Sequence, residues 1–155
     1  MAQAKIRRNG RAVWKKDLKN GRGDITTGSG ALSQNEYSFG TRFGDEPGTN
    51  PEELIAAAHA ACFSMALANT LNSQGYNPEE VDTKATCTLT PKDGGFEITN
   101  MKLEVTGRVK GVDQRAFEAI VREADKGCPV SNLLRNGLDI ELNAVLILAQ
   151  PIMQQ

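Results

Sequence analysis

The sequence contains little of the chemistry that metal sites and disulfide scaffolds need. Its 155 residues include one histidine, His59, and three cysteines, Cys62, Cys87 and Cys128. One histidine excludes a histidine-rich metal cage. An odd cysteine count, in a chain whose first residues lack the apolar stretch of a secretory signal, argues against a disulfide-stapled scaffold. The cysteines are therefore expected to be either inert core residues or reactive groups.

The sequence also lacks a large excess of positive or negative charge, and it lacks long apolar runs. The formal net charge is -1, so electrostatics favour neither a nucleic-acid nor a membrane partner. No run approaches the roughly 18 apolar residues of a membrane span. We expect a cytoplasmic protein whose residues 1–155 form one domain, with residues 149–155 as a tail without a structural signal.

Two elements near the start have the pattern of a strand hairpin. Residues 11–14 and 24–27 are short strand candidates on either side of a glycine-rich turn. Residues 38–50 are rich in Gly, Asp, Pro and Thr, which predicts a loop.

The strongest helix signal follows this loop. Asn50 suits the N-cap, Pro51 the first helical position, and Glu53 completes a capping box. An alanine-rich apolar run over residues 54–71 follows, and Gly75 is a plausible end. Because apolar residues occur all round this helix, we expect it to be buried on most sides.

The remainder of the chain alternates strand and helix patterns. Residues 81–90 and 96–109 are predicted as paired strands around a turn, and residues 138–148 as a final strand. Helices are predicted over residues 114–126, capped by Asp113, and over residues 129–134. Strand runs segregated from helices indicate the α+β class rather than a doubly wound parallel sheet.

Two of the cysteines are candidates for chemistry. Cys62 lies in the middle of the apolar helix, where a small core residue is the simpler interpretation, and where burial would raise the pKa of its thiol. Cys128 lies between Gly127 and Pro129, at the expected N-cap of a helix. A helix N-terminus favours a thiolate, although a plain cap residue is an equal alternative.

The other polar candidates have simpler interpretations. Cys87 is expected in core packing, and His59 more often fits a core histidine than a base. Arg42 is by default a solvated loop residue. Glu52 is left over from the capping box and is free to pair with an arginine. The residues alone thus permit a two-cysteine redox protein and go no further.

Several motifs together resemble the osmotically inducible protein C branch of the OsmC/Ohr peroxiredoxin-like family. They are Ala12-Val13-Trp14, Thr41-Arg42-Phe43, the segment 48–54 with the helix segment 56–65, and Gly127-Cys128-Pro129-Val130-Ser131. The similarity covers nearly the whole chain. The arginine of the Thr-Arg-Phe loop and the histidine before Cys62 favour this branch over the organic hydroperoxide resistance branch.

The resemblance implies an α+β fold built as an intertwined homodimer, with a central buried cysteine-bearing helix on antiparallel sheets and active sites at the subunit interface. It implies that Cys62 attacks a hydroperoxide, that Cys128 resolves the sulfenic acid as an intrasubunit disulfide, and that Arg42 and Glu52 form the activating pair. It implies no metal or prosthetic group. The expected partners are an organic hydroperoxide and a dithiol or lipoylated-protein reductant.

Helix geometry adds an expectation about the subunits. Glu52 and Cys62 are ten residues apart on one helix, hence about 15 Å apart along its axis. A Glu52–Arg42 pair therefore does not easily reach Cys62 of the same chain, and we expect at least Glu52 to come from the partner subunit.

Two other functions remain as alternatives. A non-catalytic dimer would bind an apolar ligand in an interface cleft, for which Phe39, Phe43, Phe63 and Met65 offer lining. The same lining predicts that a peroxidase would prefer bulky organic hydroperoxides to hydrogen peroxide. A dithiol–disulfide oxidoreductase acting on proteins would need a Cys-x-x-Cys pair, which the sequence lacks.

Overall fold

The computed structural model describes residues 3–137 and 139–148, and these form two compact units. The N-terminal unit is Met1–Leu54 and the C-terminal unit is Ile55–Gln155. The expectation of one domain over residues 1–155 stays a prediction, and the predicted tail 149–155 lies outside the described residues.

The N-terminal unit is a small antiparallel sheet followed by a short helix. The strands pair in the order β1-β2-β3, with bounds β1 Gly10–Lys15, β2 Arg22–Thr27 and β3 Asn35–Tyr37. The predicted hairpin of β1 and β2 is confirmed.

The predicted loop over residues 38–50 is wrong in part, because it contains helix α1, Phe39–Phe43. Ser38 and Thr41 form a reciprocal capping box at its start. Such a box satisfies backbone N–H groups that would otherwise lack partners, which stabilises even a five-residue helix.

Helix α2, Pro51–Ser73, begins as predicted. The Asn50 side chain accepts a hydrogen bond from the backbone N–H of Glu53 at 2.8 Å, which makes Asn50 its N-cap. Gly75 follows its end with a φ of 89°, a conformation that glycine adopts without strain.

The burial of α2 differs from the expectation. Its buried residues lie on one face and comprise Glu52 in the first turn and the stripe His59, Phe63, Leu67 and Leu71 at four-residue intervals. The opposite face is exposed along Ala57, Ala58, Ala61 and Met65. The expectation of burial on most sides is therefore wrong for the single chain.

Helix α2 is also long and apolar enough to cross a membrane, contrary to the expectation that no segment approaches that length. This is weak evidence for a span, because the core helix of a soluble protein passes the same test.

The C-terminal unit joins a three-stranded sheet to helices. Strands β4 Pro78–Lys92 and β5 Gly95–Val109 form the predicted antiparallel pair. Helices α3 Gln114–Gly127 and α4 Pro129–Leu134 follow, and strand β6 is Asp139–Ile147. The apolar stripe of α3, Phe117, Ile120, Val121 and Ala124, packs in one cluster with Leu103 and Val105 of β5 and with the buried face of α2.

Strand β6 pairs with β5 in parallel, so the expectation of purely antiparallel sheets is wrong here. Parallel neighbours need a long crossover connection, and α3 and α4 supply it. The α+β class is confirmed.

Candidate functional site

The C-terminal unit brings two of the three cysteines together. The Cys128 thiol donates to the Sγ atom of Cys62, and the two sulfur atoms are 3.4 Å apart. Both cysteines are free thiols. A disulfide bond is about 2.05 Å long, so closing it requires only a small approach of the two sulfur atoms.

The N-terminus of α4 contacts both sulfur atoms through backbone N–H groups. Cys128 is the N-cap of this helix, as predicted, and its Sγ accepts from the backbone N–H of Ser131 at 3.5 Å. Cys128 is fully buried, whereas Cys62 is partly exposed. A small reactant therefore has access to Cys62 and not to Cys128.

The C-terminal unit by itself favours the protonated thiol at Cys62. Burial raises the pKa of this thiol, a hydrogen bond from the backbone of Val130 opposes that effect, and the contact with Cys128 raises the pKa further. A cation beside Cys62 would be needed to make its thiolate abundant at neutral pH.

The N-terminal unit holds a bidentate ion pair between Arg42 of α1 and Glu52 of α2. Arg42 Nη2 donates to Glu52 Oε1 at 2.7 Å, and Arg42 Nε lies 3.2 Å from both carboxylate oxygens. The Glu52 side chain is 10% exposed and the Arg42 side chain 34%. Arg42 is thus not a plain solvated loop residue, and Glu52 has the arginine partner that the sequence left open.

A cavity of about 330 Å³ adjoins this ion pair in the N-terminal unit. Its wall is rich in aromatic side chains and includes Arg42; the lining residues are Trp14, Lys16, Leu18, Tyr37, Ser38, Phe39, Arg42 and Phe43. The guanidinium carbon of Arg42 lies 5.1 Å from the centre of the Phe43 ring, a cation–π distance that limits where the charge can move.

The predicted apolar lining of an interface cleft stays a prediction, but the four side chains have defined places within the single chain. Phe39 and Phe43 line the cavity. Phe63 is fully buried in the hydrophobic core of the C-terminal unit. Met65 is 76% exposed on the open face of α2.

His59 is fully buried one turn before Cys62, and its Nε2 lies 2.8 Å from the Oγ of Ser131 on α4. Burial lowers the pKa of His59, an effect that Asp125 opposes and Arg135 adds to. The imidazole is therefore neutral at physiological pH. The expectation of a core histidine is confirmed, but Ser131 was not singled out. Its place three residues after Cys128, in the first turn of the predicted helix, is the signal that puts it near that cysteine.

Cys87 lies apart from this arrangement. It is half-buried on β4 opposite Met101 of β5. It stands at the margin of the core rather than within it, so the expectation of core packing holds only in part.

Comparison with known proteins shows which family this chain resembles. The family described as OsmC-like protein matches residues 44–143, well over half of the chain. This chain belongs to the OsmC-like protein family. The match includes Glu52, Cys62 and Cys128, whereas Arg42 lies just before it.

Individual OsmC-like relatives agree with the branch predicted from the motifs. The chain is 46% identical to peroxiredoxin OsmC of Escherichia coli over 136 residues, 88% of this chain and 95% of that protein. It is 30% identical to the organic hydroperoxide resistance protein OhrB of Bacillus subtilis, over 77% of this chain and 87% of that protein.

A solved structure of the same family agrees on the fold. The crystal structure of an organic hydroperoxide resistance protein OsmC from Legionella pneumophila superposes with a TM-score of 0.68 at 28% identity, covering 92% of this chain and 99% of that one. The α+β fold of the OsmC-like family is therefore present here.

Proposed function

We propose that this protein is a thiol-dependent peroxidase that reduces organic hydroperoxides to alcohols through Cys62 and Cys128. The observation that carries the proposal is the 3.4 Å contact between a partly exposed and a fully buried thiol at a helix N-terminus. Similarity to peroxiredoxin OsmC and to organic hydroperoxide resistance proteins supports it.

The first step oxidises Cys62. Its thiolate attacks the terminal oxygen of the hydroperoxide, the O–O bond breaks, and the departing alkoxide takes up a proton to become the alcohol. Cys62 then carries a sulfenic acid. Access favours Cys62 for this role, since Cys128 is fully buried.

The second step consumes the sulfenic acid within the same subunit. The sulfur of Cys128 attacks that of Cys62, the S–O bond breaks, and the hydroxyl leaves with the Cys128 proton as water. An external dithiol then reduces the disulfide by exchange. We propose a lipoyl-type dithiol or lipoylated protein as this reductant, with no metal or prosthetic group.

Arg42 and Glu52 are proposed as the group that activates Cys62. Glu52 holds the guanidinium by two oxygens, so the positive charge has a defined position. Such a charge beside Cys62 would lower its thiol pKa and offset the burial that raises it. Since Glu52 and Cys62 are about 15 Å apart along α2, the pair is proposed to serve Cys62 of the partner subunit.

An intertwined homodimer is proposed to cover the open face of α2. The exposed residues Ala57, Ala58 and Ala61 are small, which lets a second helix approach closely, and Met65 adds apolar area beside them. A soluble, cytoplasmic dimer with α2 at its centre would bury this face.

The substrate is proposed to be organic because of the cavity beside Arg42. Its aromatic wall, with Trp14, Tyr37 and Phe39, can bury an alkyl or aryl group. Burial contributes about 25 cal/mol per Å² of apolar surface. Catalytic efficiency should therefore be higher with cumene hydroperoxide than with hydrogen peroxide.

Peroxide consumption with dihydrolipoamide tests the function. Turnover should vanish in Cys62→Ser. Cys128→Ser should reduce one equivalent and stop once the sulfenic acid has formed, and Cys87→Ser should behave like the wild type. If only Cys87→Ser lost turnover, the reactive cysteine would be Cys87 and not Cys62.

The same cavity favours a second candidate, a dimer that binds an apolar ligand without catalysis. Absence of turnover in the wild type with every dithiol offered, together with saturable binding of an apolar probe in Cys62→Ser and Cys128→Ser alike, would favour this candidate.

A further inference from the structure

The segment that carries Cys128 packs against the core through Cys128 and Val130 but has few polar contacts with α2. Helix α4 comprises six residues, and of these only Ser131 is buried. At its far end, Arg135 binds the Asp125 carboxylate at 3.0 Å and the Asp125 carbonyl at 3.1 Å. These contacts tie α4 to α3 and leave its position against α2 to other groups.

Three polar contacts within the described chain join the start of α4 to α2. Two of them involve the Cys62 sulfur, which is in contact with the Cys128 sulfur and has a hydrogen bond from the backbone of Val130. The third is the hydrogen bond between His59 and Ser131. It joins one turn of α2 to the first turn of α4 and is the contact of the three that does not involve a sulfur atom.

We propose that His59 is a positioning residue for disulfide closure, which holds Cys128 within reach of Cys62 through its hydrogen bond to Ser131. The proposal rests on the peroxidase function proposed above.

A purely structural account of His59 is weaker. The side chain is fully buried, and its Nδ1 has no hydrogen-bond partner among the described residues. A buried polar atom without a partner destabilises the fold. An apolar side chain of similar volume would fill the same place without that cost, so the bond to Ser131 is what distinguishes histidine here.

The hydrogen bond also has a defined direction. Burial keeps the ring neutral, so only one of its nitrogens carries a proton. A proton on Nδ1 would be a buried donor without a partner. The favoured tautomer is therefore Nε2–H donating to Ser131 Oγ, and a glutamine side chain places a donor N–H in a similar position.

The role concerns the second chemical step. When Cys128 attacks the sulfenic acid, the S–S bond forms, the S–O bond breaks, and the hydroxyl leaves with the thiol proton as water. Loosening α4 lowers the fraction of time that Cys128 spends in line with that sulfur. The oxidation of Cys62 by peroxide depends on α4 only through the Val130 hydrogen bond to its sulfur, so it should change much less than disulfide closure does.

Single-turnover kinetics separate the two steps. Peroxide loss reports oxidation of Cys62, and acid quenching with mass spectrometry distinguishes the sulfenic acid from the disulfide. We expect His59→Leu and Ser131→Ala to leave oxidation within about twofold of wild type and to slow closure by about tenfold, as expected for one hydrogen bond. His59→Gln should restore most of the closure rate. The double variant should be no slower than either single one, since both remove the same bond.

Closure at the wild-type rate in both single variants would overturn the proposal, as would an equal loss in both steps. Ser131→Ala tests the same hydrogen bond in case His59→Leu folds poorly. It removes one buried hydroxyl oxygen and leaves helix α4 in place.

A second measurement does not require peroxidase activity. In glutathione redox buffers, the effective concentration of Cys128 toward Cys62 should fall about tenfold in His59→Leu and recover in His59→Gln. A wild type that forms this disulfide but consumes no peroxide would refute the proposed function and leave the positioning role standing. An unchanged effective concentration would refute the positioning role.

Discussion

The helix that carries Cys62 does not by itself explain how its thiol would become reactive. Burial in its helix raises the pKa of the thiol, the neighbouring Cys128 raises it further, and the Val130 backbone hydrogen bond opposes both effects. Activation at neutral pH must therefore come from a charge, and Arg42 is the proposed source.

Removal of that charge should change the pH dependence of Cys62 rather than abolish its chemistry. In Arg42→Met the thiol pKa should rise, and a thiol pKa higher by one pH unit makes alkylation of Cys62 by iodoacetamide about tenfold slower at pH 7. The deficit should shrink as the pH rises through the new pKa. The measurement is alkylation rate against pH in the Cys128→Ser background, with Arg7→Met as a control for lost surface charge. If the alkylation rate had the same pH midpoint with and without Arg42, Arg42 would be excluded as the activating cation.

His59 should make the stability of the protein depend on pH. Its pKa is lowered from 6.5 in the folded chain, so the unfolded chain binds the extra proton first as the pH falls. Stability is thus greatest above pH 6.5 and is lost as the pH drops from there toward the lowered pKa, by at most about 1.4 kcal/mol per pH unit. Urea unfolding at fixed protein concentration should show this slope in the wild type and lose it in His59→Leu. The same slope in both proteins would assign it to other groups.

Some residue contacts followed from the sequence and others did not. The cap of Asn50, the N-cap position of Cys128 and an arginine partner for Glu52 are local or nearly local features. The His59–Ser131 bond joins residues 72 positions apart, and the sulfur contact joins residues 66 apart. Without the family resemblance, nothing in local periodicity brings such distant residues together.

At the scale of elements, helix and strand periodicity predicted most of the fold. Strands β1, β2, β4 and β5 and helices α2, α3 and α4 appear close to their expected bounds. Two short elements were missed, β3 and α1, because three and five residues are too few to display a period. The parallel direction of β6 was missed as well, since strand direction depends on the path of the crossover and not on the strand's own residues.

The capping role of Cys128 leads to a prediction that is independent of redox chemistry. Its sulfur accepts the Ser131 N–H that α4 would otherwise leave without a partner. Serine also caps helices, whereas alanine does not, and the difference is typically about 1 kcal/mol. Both variants should fail to form the disulfide, but Cys128→Ala should unfold at lower urea concentration than Cys128→Ser. Equal midpoints would mean that the cap contributes nothing to stability.

At the scale of the whole molecule, two features favour a homodimer. They are the exposed apolar face of α2 and the distance between Glu52 and Cys62 along that helix. If Arg42 and Glu52 are the activating pair, as proposed, they lie about 15 Å from Cys62 of their own chain along that helix, and a second copy would both complete the site and cover the exposed apolar face. Composition alone could not reveal this, because a helix that is apolar all round looks the same whether its own chain or a partner buries it.

Subunit mixing tests the shared site directly. As pure dimers, Glu52→Gln should be strongly impaired and Cys62→Ser inactive. If each site combines Cys62 of one subunit with Glu52 of the other, a mixed dimer keeps one intact site of two. Unfolding and refolding an equimolar mixture should then restore about a quarter of wild-type activity, since half of randomly paired dimers are mixed. If both residues served the same subunit's site, mixing would restore nothing.

The sulfur atoms of Cys62 and Cys128 join two points 66 residues apart in the chain, on either side of the β4–β5 pair. A bond between them would restrict the unfolded chain and, on the loop-entropy account, stabilise the fold by roughly 4 kcal/mol. Thermal unfolding of peroxide-treated and reduced protein should reveal that difference, with Cys128→Ser showing none. Exposure to peroxide would then convert the protein to its more stable disulfide form. Reduction of the disulfide would restore both its ability to react with peroxide and its lower resistance to unfolding and degradation.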